Sequence, residues 1–184
     1  MKLYVKRRPV DYIVYSAIIA LGIVLDQITK WLSVENLKKL DTLPLIEDIL
    51  HLTYVENRGA AFGMMADQRW VFITVSSIAI LAFGAYLYLG HADGWLTAVG
   101  MSLIISGGIG NMIDRVGLGY VVDFIDCRFV KYPVFNNGTA IWRTFPVFNG
   151  ADSFVCVGAG IIVLAVILEM RAELKRKHND NTGK

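Results

Sequence analysis

The stretch WLTAVGMSLIISGGIGNMI, Trp95 to Ile113, carries no charged residue and runs directly into Asp114 and Arg115. A helix rises about 1.5 Å per residue, so roughly 20 such residues cross a hydrocarbon core of about 30 Å. Three further stretches read the same way, at about 12–31, 70–89 and 153–170. The first is interrupted near its end by Asp26, Gln27, Thr29 and Lys30, and the fourth opens just after Asp152. Trp31, Trp70 and Trp95 fall at span ends, where amphipathic rings favour the membrane interface.

Composition agrees. Of 184 residues, 55% are hydrophobic and 18% charged, with a mean hydropathy of +0.50. Soluble domains are nearer about 25% charged, and one small core cannot hide this much apolar surface. A net charge of +2 excludes a strongly basic nucleic-acid binder. Cys127 and Cys156 are too few for a disulfide scaffold, and no bridge between them is expected. His51, His91 and His178 lack ligand spacing, so no metal site is expected.

Positive charge sets the topology. Lys2, Lys6, Arg7 and Arg8 precede the first span, and Arg171, Lys175, Arg176 and Lys177 follow the last. Both clusters are expected in the cytoplasm, which an even number of spans permits. The opening run also resembles a secretory signal peptide. It lacks a small-residue cleavage site and continues into Asp26-Gln27-Ile28-Thr29-Lys30, so retention as the first span is expected. Two long segments, about 32–69 and 114–152, then face outward. Leu50 to Val55 alternates as a strand does, and Asn136-Asn137-Gly138 predicts the turn of a hairpin near 129–145. The expected fold is a transmembrane, all-α bundle of four helices with a small extracytoplasmic β-containing subdomain, one membrane domain over 1–184.

On this topology the polar residues gather at one side. Asp26 and Lys30 end span one; Asn111, Asp114 and Arg115 end span three; Asn57, Asp123 and Asp152 lie in or beside the outer segments. Ionisable groups at a membrane boundary are functional candidates. Singly, each also reads as an ordinary interfacial charge marking a span end. Ser106 or Ser153 as a nucleophile would need Lys30 as its base, and no calcium-loop spacing occurs. Paired aspartates offer a third chemistry: two close carboxyls share a proton, one activating water while the other polarises a carbonyl. Asp26, Asp114, Asp123, Asp126 and Asp152 compete for those two places, and physical reasoning alone does not choose between them.

Five motifs occur in order: Asp26-Gln27-Ile28-Thr29-Lys30; Asn57-Arg58-Gly59-Ala60-Ala61-Phe62; Gly107-Gly108-Ile109-Gly110-Asn111-Met112-Ile113-Asp114-Arg115; Val121-Val122-Asp123-Phe124; and Phe148-Asn149-Gly150-Ala151-Asp152-Ser153. In motif order, span count and extent the chain resembles the lipoprotein signal peptidases (signal peptidase II). That resemblance implies an aspartic endopeptidase of the bacterial inner membrane with both termini cytoplasmic. Its substrates would be prolipoproteins, cut before a cysteine already carrying diacylglycerol. It implies Asp123 and Asp152 as the catalytic pair, and Asn57, Gly59, Asn111, Arg115 and Asn149 as substrate-site residues. Asp26, Lys30 and Asp114 are assigned to structural support, Gly107, Gly108 and Gly110 to close helix approach, and Phe62 to the channel or plain packing. No cofactor is implied. The expected partners are the lipidated substrates and membrane lipids, for a monomeric enzyme. The segment between Asp123 and Asp152 is longer than is usual for the family, with Pro133-Val134-Phe135-Asn136 echoing Pro146-Val147-Phe148-Asn149. The rival readings are a non-enzymatic membrane factor and a transporter, the latter disfavoured because its carboxylates would sit at midplane.

Overall fold

The computed structural model describes residues 8–40, 42–59, 68–90, 94–129, 131–136 and 139–181, with 131–136 and 139–144 considered as backbone. Phe62, the Asn137-Gly138 turn, His91 and the basic Lys2, Lys6 and Arg7 lie outside the described residues. Among the described residues, four helices are long and apolar enough to cross a membrane. They are α1 (Pro9–Leu37), α2 (Arg69–Tyr88), α3 (Trp95–Gly117) and α4 (Gly150–Asn181).

The first helix is apolar outside and polar inside, the reverse of a soluble helix. Its buried residues Gly22, Asp26, Lys30, Ser33 and Leu37 recur every three or four positions and so form one face. Leu21, Val24, Leu25, Ile28, Trp31 and Leu32 are exposed on the others. Only a hydrocarbon solvent rewards that arrangement. The helix also continues past Trp31 to Leu37, beyond the apolar stretch read from sequence, and Asp26 and Lys30 within it find partners inside the bundle.

The third helix is the hub, packing against α4, α1 and α2. Its buried face is built of small residues, among them Ala98, Gly100, Ser102, Ser106, Gly107 and Gly110. A Cβ placed on Gly100 would stand 2.7 Å from the Gly158 carbonyl oxygen of α4, so backbone meets backbone there. Between lipid-solvated helices such close packing replaces the missing hydrophobic drive. Tyr15, Leu87, Ala98, Met101 and Ile105 form the buried apolar cluster near the other end.

Beside the bundle lies an antiparallel sheet in the order β1 (Leu43–Ile46), β2 (Leu50–Asn57), β3 (Val121–Cys127). Val55 pairs with Asp123 and Leu52 with Ile125, so Thr53 and Tyr54 together oppose Phe124 in a bulge. A second pair, β4 (Lys131–Asn136) and β5 (Thr139–Thr144), is also antiparallel. After β5 the chain returns to β3: Ile125 N donates to Phe148 O at 2.8 Å and Phe148 N to Ile125 O at 3.1 Å. This bridge brings Asn149, and with it the start of α4, beside Asp123.

Candidate active site

The site begins with a helix cap. Asn149 precedes α4, and its Oδ1 accepts from the Asp152 backbone N–H at 3.0 Å. The Asp152 Oδ2 accepts in return from the Asn149 N–H at 3.2 Å. This reciprocal pair is a capping box, which satisfies orphan donors of the first turn. It places Asp152 in the first turn of α4, whereas the sequence reading put it just before the span.

Asn149 Nδ2 then reaches three acceptors: Asp123 Oδ1 at 2.7 Å, Asn111 Oδ1 at 3.0 Å and Val122 O at 3.2 Å. An amide has two hydrogens, so one is shared, and the shortest bond goes to Asp123. Asn57 Nδ2 donates to the other Asp123 oxygen at 2.8 Å. The Asn57 Oδ1 accepts from Gly59 N at 3.0 Å, which turns its amide the right way round. Asn111 Nδ2 donates to Asp152 Oδ1 at 2.8 Å. One asparagine, Asn149, therefore bonds to both carboxyl groups.

Behind this layer sits a buried ion cluster. Lys30 Nζ is 2.9 Å from Asp26 Oδ2, 3.0 Å from Asp114 Oδ2 and 2.9 Å from Asn111 Oδ1. Its three hydrogens have three acceptors. Asp26 Oδ1 also accepts from Ala151 N at 2.9 Å, and Asp114 Oδ2 from Val122 N at 3.0 Å. The cluster thus ties α1 and α3 to the start of α4 and to β3. Gln27 Nε2 joins it, donating to Asp114 Oδ1 at 3.2 Å and Gly110 O at 3.2 Å. The sequence reading gave Gln27 no role, although its place one residue from Asp26 in a polar helix end was the available signal.

Of the five competing aspartates, Asp26 and Asp114 share Lys30 as their ion-pair partner. Asp126 faces elsewhere, bonded to Arg128 Nε at 2.9 Å and Thr53 Oγ1 at 3.0 Å. Asp123 and Asp152 are bonded to asparagine side chains and backbone N–H instead. Burial pushes the Asp123 carboxyl from an ordinary 3.8 up to about 7; the Asn57 hydrogen bond opposes that rise and the Asp152 charge adds to it. Arg115 lies within electrostatic reach of Asp152, Asp123 and Asp114. Its guanidinium donates to Asn111 O at 3.3 Å and rests 5.1 Å from the Phe72 ring centre.

Neither serine raised by the sequence joins this network. Ser106 Oγ donates to Leu103 O and Ser153 Oγ to Asn149 O, while Lys30 is engaged elsewhere. Cys127 and Cys156 are free thiols. Gly107 and Gly110 are close-packed as read: a Cβ on Gly107 would strike the Ala151 carbonyl, and one on Gly110 the Asp26 carboxyl. Gly108 is looser, with Ile80 at 3.1 Å.

Comparison with known proteins gives this arrangement its family. The model of Signal peptidase (SPase) II matches residues 18–168. The lipoprotein signal peptidase of Clostridioides difficile is 43% identical over 153 residues, covering 83% of this chain and 94% of that one. The lipoprotein signal peptidase of Halothermothrix orenii is 41% identical over 147 residues, covering 80% and 90% respectively. A solved bacterial membrane enzyme, 30% identical, superposes with a TM-score of 0.72 over 85% of this chain and 89% of its own. A helical membrane bundle whose polar network gathers at one end, matched this fully in sequence and fold, belongs to the signal peptidase II family of peptidases.

Proposed function

We propose that the chain is an aspartic endopeptidase that removes the signal peptide from diacylglyceryl-modified prolipoproteins, cutting before the lipidated cysteine. The observation that carries the reading is the bonding of Asp123 and Asp152 to one asparagine, with no direct lysine or arginine partner among the described residues. Among the described residues, four carboxyls (Asp26, Asp114, Asp123 and Asp152) share this region with two cations, Lys30 and Arg115. Full ionisation leaves an excess of negative charge in a poorly solvated place, which favours one proton shared by the Asp123–Asp152 pair. The ionised member takes a proton from water as the water attacks the scissile carbonyl. The protonated member donates to the carbonyl oxygen, and later steps return the proton to the leaving amine. Asn57 and Asn149 hold Asp123, Asn111 holds Asp152, and Arg115 offers free guanidinium donors to substrate carbonyls.

Arg8 precedes α1, and Arg171, Lys175, Arg176 and Lys177 lie in the C-terminal part of α4, in both cases at the helix end away from the site. Positive charge retained in the cytoplasm then puts both termini inside and the site, with its sheet, at the outer face of the bacterial inner membrane. A diacylated substrate is held in that bilayer by about 0.8 kcal/mol per buried methylene, so the enzyme meets it at the interface, working as a monomer. Cleavage of a diacylated prolipoprotein by purified protein in lipid tests the reading. Asp123→Asn and Asp152→Asn should each abolish cleavage while keeping a cooperative melt. Activity retained in either variant removes the aspartic assignment.

A further inference from the structure

The strand β1 and the turn after it are exposed. Leu40, Leu43, Leu45, Ile46 and Ile49 are 50%, 42%, 55%, 53% and 46% exposed. Successive strand residues point to opposite faces, yet all four residues of β1 are exposed, so neither face of this edge strand is packed. In water an open apolar edge of this kind is an aggregation site. Its neighbour across the sheet is β2 alone, and β2 in turn pairs with β3.

The depth of the sheet is fixed by named bonds. Val122 N at the start of β3 is bonded to Asp114, and Asp114 to Lys30. Lys30 adjoins Trp31, which is 61% exposed in the row of α1 residues that faces lipid. The sheet therefore starts level with the interfacial tryptophan. With β3 packed on α1 and α3 and β2 packed on α1, β1 lies one strand spacing farther out, about 5 Å. That places it beyond the helices and over lipid. Exposed apolar residues also flank it towards the membrane, Ile28 and Leu32 on α1 and Leu40 just after that helix.

We propose that β1 and the β1–β2 turn form an interfacial anchor, with Leu45, Ile46 and Ile49 seated at the boundary of headgroups and acyl chains in the leaflet on the site's side. The turn suits this. Ile49 N donates to Ile46 O at 3.1 Å, and Asp48 adopts a left-handed φ of 58°. The tight reversal holds the two isoleucines close together and leaves Glu47 and Asp48 to the headgroup layer. Because β1 is paired to β2, and β2 carries Asn57 against Asp123, the anchor also sets the height of Asp123 above the bilayer. That consequence rests on the proposed role of Asp123; the anchor itself does not.

The test uses the full chain with Cys127→Ser and Cys156→Ser, carrying one new cysteine at Ile46, at Ile49 or, as an aqueous control, at Lys177. Each is labelled with a polarity-sensitive fluorophore and placed singly in nanodiscs of phosphatidylethanolamine and phosphatidylglycerol with spin-labelled acyl chains. The labels at positions 46 and 49 should be quenched roughly threefold more than the control, as shallow insertion requires. Quenching equal to that of the control overturns the anchor. So does a position-46 label that is quenched only when two copies share a disc, which would mean that a second chain covers the strand. Loss of cleavage in Asp123→Asn with quenching unchanged separates the anchor from the catalytic reading.

Discussion

Lys30 Nζ donates to Asn111 Oδ1 at 2.9 Å, and this bond decides which end of the Asn111 amide faces Asp152. An ammonium has only hydrogens to give, so the amide oxygen must turn towards it and the NH2 away. The same oxygen accepts from Asn149, whose amide also bonds Asp123. One buried cation thus orients the two asparagines that hold both carboxyl groups of the proposed pair.

Lys30→Met should therefore do two kinds of damage. Removing one partner of a buried ion cluster leaves Asp26 and Asp114 uncompensated and costs about 3–5 kcal/mol. The Asn111 amide also loses its fixed orientation. Thermal melting in detergent should drop sharply, and cleavage by the surviving folded fraction should fall. A variant with normal melting and normal cleavage contradicts this account.

The pH dependence follows from Asp123, which burial raises from 3.8 to about 7. The folded state holds that proton more tightly than the unfolded chain does. Its contribution to stability is full below about pH 4 and is lost as the pH rises through about 7. Asp123→Asn should remove this slope from the melting temperature between those values. Cleavage by the wild-type protein should decline above about pH 7 as the shared proton leaves, with an apparent value belonging to the pair. A rate that is flat across that range counts against a proton-sharing mechanism.

At Asn149 the cap and the carboxyl contact can be separated. Asn149→Ala loses both, and the cap alone is worth about 1 kcal/mol. Asn149→Ser keeps a capping oxygen but cannot reach Asp123 with a donor. Serine should recover most of the lost melting temperature while cleavage stays down by about 10²–10³-fold, the usual effect of losing one well-placed donor. Equal recovery of stability and activity would reduce Asn149 to a helix cap.

Asp126 supplies the contrast within the sheet. It bonds Arg128 and Thr53 and takes no part in the Asn149 network. Asp126→Asn should leave cleavage within about twofold of wild type, a difference well under 1 kcal/mol on the barrier. A loss as deep as that of Asp123→Asn would mean that the wrong pair has been chosen.

Close packing of α3 on α4 can be probed at two glycines. A Cβ on Gly158 would stand 2.5 Å from the Gly100 carbonyl oxygen, whereas one on Gly160 meets nothing within 4 Å. Gly158→Ala should destabilise by about 1–3 kcal/mol through overpacking. Gly160→Ala should be neutral or slightly stabilising, since alanine gains up to about 1 kcal/mol over glycine in a helix. Melting curves of the two variants should move apart in that order.

The four spans were legible in the chain because hydropathy is local: each run of apolar residues carries its own reason to be helical and in lipid. The α1 and α4 helices run beyond the ends read from the chain, since apolar content marks where a span crosses lipid and not where its helix stops. Which aspartates have a cation is not local at all. Lys30 meets Asp114 from another helix, and Asp26 bonds the N–H of Ala151, 125 residues away. The sequence by itself determined a membrane bundle with its polar groups gathered at one end. Only the tertiary structure decided that Lys30 pairs with both Asp26 and Asp114, that Asp126 turns away, and that Asn149 links Asp123 to Asp152. Spacing along a chain places a residue on a helix face, but a hydrogen bond between elements exists only once packing has brought both partners within about 3 Å.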